Sequence, residues 1–189
     1  MILDLSKDGK FVAVSAFKTP PAKDPSDILR RVRIAAPDVD VQFFDGRRIA
    51  GKEHLEIAAI NALHAFKTRI NIARSRTMET LLYASAQRQI DVAISRLGVA
   101  RDSKIVGVVA FSDTRDCLEA IEHRIAQSAG TKMDEALLDE WSESKVTEIM
   151  RLYGIEADEL EAIKMPDQEI NDAVKKAVIE RVALLSTRT

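Results

Sequence analysis

The stretch Lys104–Phe111 reads KIVGVVAF, an apolar run that predicts a buried β-strand. Two stretches nearer the N-terminus have strand patterns as well. FVAVSAF at Phe11–Phe17 is apolar and β-prone, and VDVQFFD at Val39–Asp45 alternates apolar with polar residues before an Asp-Gly turn. We expect KIVGVVAF to be the central strand of a small sheet.

Helical patterns surround these strands. Asp24 followed by Pro25 predicts a helix cap and first turn, and this helix should stop before Pro37. Apolar residues between Ala50 and Lys67 recur at helical spacing. Asp113 is expected to cap a helix after the central strand, and Pro166 to open the final helix. Few strands and many helices predict an α+β domain.

The expected architecture is a small, mostly antiparallel sheet of about three to five strands with helices packed on it. Residues 130–164 are acidic and carry short helical patterns, so residues 130–189 are expected to form a helical C-terminal part. The length of 189 residues suits one compact domain spanning residues 1–189.

Composition excludes several classes of protein and of site. A net charge of −2 means that any nucleic-acid affinity must come from a local patch. Cys117 is the only cysteine, which excludes a disulfide framework and a cysteine-based metal site. With seven glycines and no glycine-rich phosphate loop, we expect no cofactor. Neither a secretory signal nor a membrane span is recognisable, so a cytoplasmic location is expected.

The histidines do not form a metal-ligand pattern. His54 and His64 are ten residues apart on one predicted helix, about 80° apart in projection, which is poor for sharing a metal. With His123, they are expected to be surface or half-buried residues. Cys117 is expected to be a small buried apolar residue.

Two helical patterns lie out of phase in METLLYASAQRQIDVAISRLG, residues Met78–Gly98. The first apolar face contains Met78, Leu81, Leu82 and Ser85, and the second contains Ile90, Ala93, Ile94 and Leu97. The offset of 12 residues rotates one face by roughly 120° relative to the other. The chain should therefore restart a helix here, with Ser85 as its N-cap and Gly98 as its C-cap.

The joint Gln87-Arg88-Gln89 has two interpretations. The N-terminus of a restarted helix attracts anions, and Arg88 adds a positively charged guanidinium group. Glutamine both donates and accepts hydrogen bonds. Together these groups suit a phosphate beside a base edge. Polar residues at a helix joint can equally serve only to solvate it. The local charge from Lys67 to Arg88 is +4, from five basic residues and Glu79. That run is either a binding patch or an exposed basic loop whose charge offsets that of the acidic C-terminal third. Ile70 and Ile72 are expected to anchor it.

Three segments resemble the small kinase-binding subunit of the KEOPS complex, most closely its archaeal form. They are HLEIAAINALHAFKTR at His54–Arg69, SRTMETLLYASAQRQIDVAISRLGV at Ser75–Val99, and the strand KIVGVVAF. The resemblance extends more loosely over the whole chain. Arg74 departs from the pattern, because an asparagine is expected there in archaeal relatives.

The resemblance implies a non-catalytic role. KEOPS makes the threonylcarbamoyl modification on adenosine beside the anticodon of tRNAs. The subunit is expected to bind the small atypical kinase of the complex and support its activity. Through the kinase, it would associate with the other subunits, including the threonylcarbamoyl transferase. The QRQI sequence favours the members that also capture tRNA by its single-stranded C-C-A end. The alternative is a protein-interaction module without tRNA binding.

The resemblance and the charge pattern together name the expected tRNA-binding residues, which are Lys67, Arg69, Arg74, Ser75, Arg76, Gln87, Arg88 and Gln89. Tyr83 either stacks on a base or packs inside. The final helix has more apolar surface than one packing face needs, which suggests a kinase interface formed by Val174, Val178, Arg181 and Leu185. The alternative is that this whole apolar arc is intramolecular core.

Overall fold

The computed structural model describes residues 2–5, 10–20, 23–35, 40–165 and 168–187. Within them, four antiparallel strands form one sheet in the order β1-β2-β4-β3. The strands are β1 (Ile2–Leu5), β2 (Lys10–Lys18), β3 (Asp40–Asp45) and β4 (Ile105–Ser112). The KIVGVVAF strand, β4, lies between β2 and β3, so its central position is confirmed. Strand β1 is an addition that no sequence pattern predicted.

Helices make up most of the remaining described chain, which confirms the α+β class. They are α1 (Pro25–Ala35), α2 (Lys52–Thr68), α3 (Arg76–Ser85), α4 (Ile90–Leu97), α5 (Arg115–Ala129), α6 (Glu143–Tyr153), α7 (Ala157–Ile163) and α8 (Ile170–Ala183). Short 3₁₀ turns lie at Gly46–Arg48, Glu135–Asp139 and Leu184–Thr187.

Helices cover both faces of the sheet. Successive side chains of a strand point to opposite faces, so Val106, Val108 and Ala110 of β4 pack in a core with α1 and α5. Val109 and Phe111 face the other core, which includes α2, α3 and α8. The central strand is therefore buried on both sides, which explains its continuous apolar run.

The helical C-terminal part shares the second core with the sheet. Val174, Val178 and Leu185 are at most 1% exposed and pack in the same cluster as Leu55 of α2. The proposal that these three residues form a kinase interface is therefore wrong, because neighbouring helices of the same chain already cover them. Arg181 of α8 is half-buried and donates to both carboxylate oxygens of Glu159 at 2.8 Å.

One predicted helix cap is confirmed, and another is displaced by one residue. The side chain of Asp24 accepts from the backbone N–H of Ser26 at 2.9 Å, so the cap before Pro25 is confirmed. The helix after β4 is capped by Thr114 rather than Asp113, because the Thr114 side chain accepts from the N–H of Cys117. The predicted boundaries at Pro37, Val39 and Pro166 lie outside the described residues.

Candidate RNA-binding surface

The predicted tRNA-binding residues fall into two groups at opposite ends of α3. Helices α2 and α3 are antiparallel, since His54 near the start of α2 contacts the carbonyl of Ala84 near the end of α3. Residues 79–85 of α3 are all buried, so only its ends reach the surface. We call residues 67–76 the basic loop and residues 87–89 the QRQ turn. The ten residues of α3 separate them by about 15 Å.

A buried carboxylate anchors the basic loop. Glu79 is 1% exposed, and its Oε2 accepts hydrogen bonds from the backbone N–H groups of Ile72 at 3.0 Å and Ala73 at 2.6 Å. Ile70 and Ile72 were expected to anchor the loop, but their side chains are 55% and 40% exposed. The loop is thus ordered by backbone hydrogen bonds to Glu79 and not by apolar anchors.

The basic loop presents cations in two ways. Lys67, Arg69 and Arg74 are exposed, and Arg69 ends α2 in the left-handed conformation with φ 60°. Arg76 is partly covered, because its guanidinium lies 5.8 Å from the ring centre of Phe66 and 3.8 Å from a carboxylate oxygen of Asp40.

The hydroxyl of Ser75 has a structural role. Ser75 caps the N-terminus of α3, and its Oγ accepts from the backbone N–H of Met78 at 3.2 Å. The same oxygen lies 3.1 Å from the hydroxyl oxygen of Thr77. Ser75 is therefore better placed to fix the start of α3 than to contact a ligand through its side chain.

The QRQ turn begins where α3 ends. Ala86 adopts the left-handed conformation with φ 51°, and the N–H of Gln87 donates to the carbonyl of Leu82 at 3.0 Å. The predicted break between two helices is confirmed. Ser85 was expected to cap the second helix, but it is fully buried and its hydroxyl donates to Leu82 at 3.1 Å. Gln89 takes the N-cap position of α4 without a side-chain capping bond.

The three residues of the QRQ turn differ in exposure. Gln87 is half-buried, whereas Arg88 and Gln89 are exposed. Gly98 ends α4 as predicted, with its N–H donating to the carbonyl of Ile94 at 2.8 Å. A Cβ at Gly98 would lie 2.5 Å from that oxygen, so the close approach requires glycine. The turn and the short helix after it therefore form a defined unit.

Two buried side chains hold the end of α3. The Nδ1 of His54 accepts from the N–H of Ala50 at 3.1 Å, so its Nε2–H is free to donate to the carbonyl of Ala84 at 2.8 Å. The hydroxyl of Tyr153 donates to the same carbonyl at 2.7 Å. Burial lowers the pKa of His54 to about 4, so the imidazole is neutral near pH 7.

This arrangement corrects the expectations for several side chains. His54 is fully buried instead of being a surface or half-buried residue, while His64 and His123 are exposed. Cys117 is exposed and not buried. Tyr83 is 5% exposed, and burial raises the pKa of its phenol, so it packs inside.

A cleft of about 460 Å³ lies between the Gly46–Arg48 turn and the start of α6. Its lining contains Trp141 and equal numbers of basic and acidic side chains, which are Arg47, Arg48, Lys145, Asp102, Glu140 and Glu148. Burial lowers the pKa of Lys145 to about 8, and its ammonium donates to the carbonyls of Leu138 and Glu140. The balanced charge does not favour an anionic ligand.

Among the described residues, no cluster of His, Cys, Asp or Glu is arranged to hold a metal ion, and no helix combines the length and apolar character that a membrane span requires. No curated protein matched the chain. A family model, described as kinase binding protein CGI-121, matches residues 22–186. That match includes α2, the basic loop, α3, the QRQ turn and all later helices. The chain therefore belongs to the CGI-121 family of kinase binding proteins.

Proposed function

We propose that this chain is a non-catalytic subunit of a KEOPS tRNA-modification complex. It binds and supports the small atypical kinase, and it recruits tRNA by the single-stranded C-C-A end. Its further partners are the other subunits, including the threonylcarbamoyl transferase, and it acts in the cytoplasm. One observation carries the tRNA part of this proposal: two sets of exposed polar and basic side chains project from the ends of one buried, tightly anchored helix.

The QRQ turn suits the C-C-A end. Sequence-specific recognition of RNA ends uses hydrogen bonds to base edges and stacking on flat side chains. Gln87 and Gln89 carry both donors and acceptors, and the planar guanidinium of Arg88 binds phosphate or stacks on a base. The left-handed residue Ala86 and the hydrogen bonds to Ala84 hold the turn in one conformation, which lowers the entropy cost of binding.

The basic loop suits the sugar–phosphate backbone of the same RNA. Lys67, Arg69 and Arg74 are exposed cations without an aromatic side chain interleaved between them. Such a cluster binds phosphates without reading sequence. The separation of about 15 Å from the QRQ turn means that these phosphates belong to a part of the tRNA outside the C-C-A end itself. We expect the turn to supply selectivity and the loop to supply affinity that depends on salt.

Charge reversal at Arg88 tests the tRNA role. Arg88→Glu should weaken tRNA binding by roughly tenfold or more, because it replaces a phosphate-binding cation with an anion. Arg31→Glu is the matched control, since Arg31 is an exposed arginine on α1, which covers the other face of the sheet. The measurement is tRNA affinity of the purified chain at moderate salt, with thermal unfolding to verify the fold. Equal affinities for the two variants would contradict the assignment.

Removal of the C-C-A end tests which part of the tRNA is bound. We expect this truncation to weaken binding far more than changes in the anticodon loop, because the QRQ turn contacts the end itself. If the purified chain binds the kinase but shifts no tRNA in electrophoresis, the chain is a protein-interaction module and the tRNA proposal fails.

A further inference from the structure

A second group of arginines lies beside the QRQ turn. A shallow cleft of about 560 Å³ is lined by Arg48 from the Gly46–Arg48 turn, Arg96 from α4 and Arg151 from α6. Asp91 is the one acidic residue in its lining. These residues, which we call the arginine groove, lie far apart in the sequence, so no local charge run predicted them.

The groove lies along α4, the helix that follows the QRQ turn. Asp91 lies two residues after Gln89, and Arg96 follows it on the next turn of α4. The guanidinium of Arg96 also lies within 3.5 Å of the carbonyl of Ser85, the last residue of α3. A strand leaving the QRQ turn along α4 therefore passes directly over this cleft.

The positive charge of the groove exceeds what its acidic neighbours neutralise. Arg48 and Arg151 both pair with the same carboxylate, Glu148, at 3.3 and 3.1 Å. The pKa of Glu148 is lowered by its hydrogen bond to Arg151 and by the charges of Arg48 and Arg47. Two guanidinium groups on one carboxylate leave a surplus that can bind a further anion.

Accessibility differs among the three arginines. The side chain of Arg151 is 66% exposed, and its guanidinium donates to both carboxylate oxygens of Glu148 at 3.1 Å. Arg48 is 25% exposed and donates to the carbonyls of Ser95 and Arg96 in the last turn of α4, and the side chain of Arg96 is half-buried. Arg151 is therefore the most accessible cation, while Arg48 fixes the floor of the groove.

We propose that the arginine groove binds backbone phosphates of the RNA strand that leads into the C-C-A end. This inference rests on the proposed function, because it takes the QRQ turn as the place where that end is held. It adds Arg48, Arg96 and Arg151 to the binding surface, opposite in direction to the basic loop. We expect the groove to add affinity without base selectivity, since phosphate contacts position a strand but carry no sequence information.

Removal of one charge tests the groove. Arg151→Gln should weaken binding of a longer single-stranded RNA ending in C-C-A by roughly three- to tenfold, and reduce the salt slope by about 0.7. The C-C-A trinucleotide should bind the wild-type chain and the Arg151→Gln variant equally, because it does not reach the groove. Arg30→Gln is the matched control, since Arg30 forms the same kind of exposed pair, with Asp27 at 3.0 Å, on the other side of the sheet.

Removal of the shared carboxylate gives the opposite change. Glu148→Gln should tighten binding of the longer strand and steepen its salt dependence, because it frees Arg48 and Arg151 for phosphate. A gain in affinity cannot result from partial unfolding. Arg88→Glu should weaken binding whether or not the groove binds RNA. If it does so, the groove proposal is overturned by either of two results: Arg151→Gln has no more effect than Arg30→Gln, or Glu148→Gln does not tighten binding. If the wild-type chain binds no RNA, the proposed function itself fails and the groove falls with it.

Discussion

The two ends of α3 are held by opposite chemistry. At the N-terminal end, the carboxylate of Glu79 and the hydroxyl of Ser75 accept hydrogen bonds from backbone N–H groups. At the C-terminal end, the imidazole of His54 and the phenol of Tyr153 donate to a backbone carbonyl. Glu79, His54 and Tyr153 are buried and Ser75 is half-buried, and each pair fixes one of the two exposed groups in the candidate surface.

Helix polarity explains the contacts of Ser75, His54 and Tyr153, whereas Glu79 accepts from N–H groups of the loop that precedes the helix. The first turn of an α-helix leaves N–H groups without partners, and the last turn leaves carbonyls without partners. A buried N-terminal end therefore needs acceptors, and a buried C-terminal end needs donors. The consequence is functional: a carboxylate orders the basic loop, whereas neutral donors order the QRQ turn. The two groups should then respond independently to mutation and to pH.

The largest expected effect is at the basic loop. Glu79→Ala leaves two backbone N–H groups without their acceptor, which should lower the free energy of unfolding by about 3 kcal/mol. Denaturant unfolding measures this loss. The affinity for tRNA should fall because the loop loses its order, while affinity for the C-C-A trinucleotide should be unchanged.

Glu79→Gln is the control for charge. Both N–H groups bond to one oxygen of Glu79, and the amide oxygen of glutamine can replace it. We expect a loss of only about 1 kcal/mol. A trinucleotide affinity that falls with Glu79→Ala would show that the two ends are coupled and would contradict the comparison.

The second prediction concerns acid at the QRQ turn. The pKa of His54 is about 4 in the folded chain against 6.5 in the unfolded one, so between these values only the unfolded chain takes up the proton. Stability should therefore fall as pH drops from 6.5 to 4, by up to about 3 kcal/mol.

His54→Gln isolates that dependence. The glutamine amide can accept from Ala50 and donate to Ala84, yet it does not titrate. The measurement is the unfolding free energy of both proteins over this pH range. We expect the curve of the variant to be flatter, and parallel curves would show that His54 is not the titrating group.

The smallest effect is expected at Tyr153. Tyr153→Phe removes one of two donors to the carbonyl of Ala84 and leaves His54 in place, so it should cost about 1 kcal/mol. Binding of the C-C-A trinucleotide should weaken by a few fold, since the turn is less firmly held, and the salt dependence contributed by the basic loop should stay the same. An unchanged trinucleotide affinity would contradict this prediction, because it would show that a less stable turn still binds the trinucleotide equally well.

Local patterns were sufficient for most elements of the fold, and strand β1 is the exception. The apolar run of β4 predicted a strand, and the phase shift between Met78 and Leu97 predicted the break that the structure has between α3 and α4. These predictions succeed because strand and helix periodicity depend on neighbours within a few residues. The cap at Ser85 was misplaced because a buried serine and a capping serine have the same local sequence.

Long-range contacts decided the rest. Tyr153 lies 69 residues from Ala84, and Arg48 lies 100 residues before Glu148, so no spacing rule relates them. The same holds for the final helix, whose apolar arc predicted either a partner or a core. Tertiary packing against α2 makes it core.

The sequence alone determined three of the four described strands, the main helical patterns, the joint at Gln87–Gln89 and the local positive charge, because these depend on side-chain type and short-range order. The tertiary structure decided that α3 is buried along its length, that its ends carry separate groups, and that arginines from three elements meet beside the turn. The physical reason is that burial and charge clustering arise from the packing of distant segments, whose free energy is not encoded in any one of them.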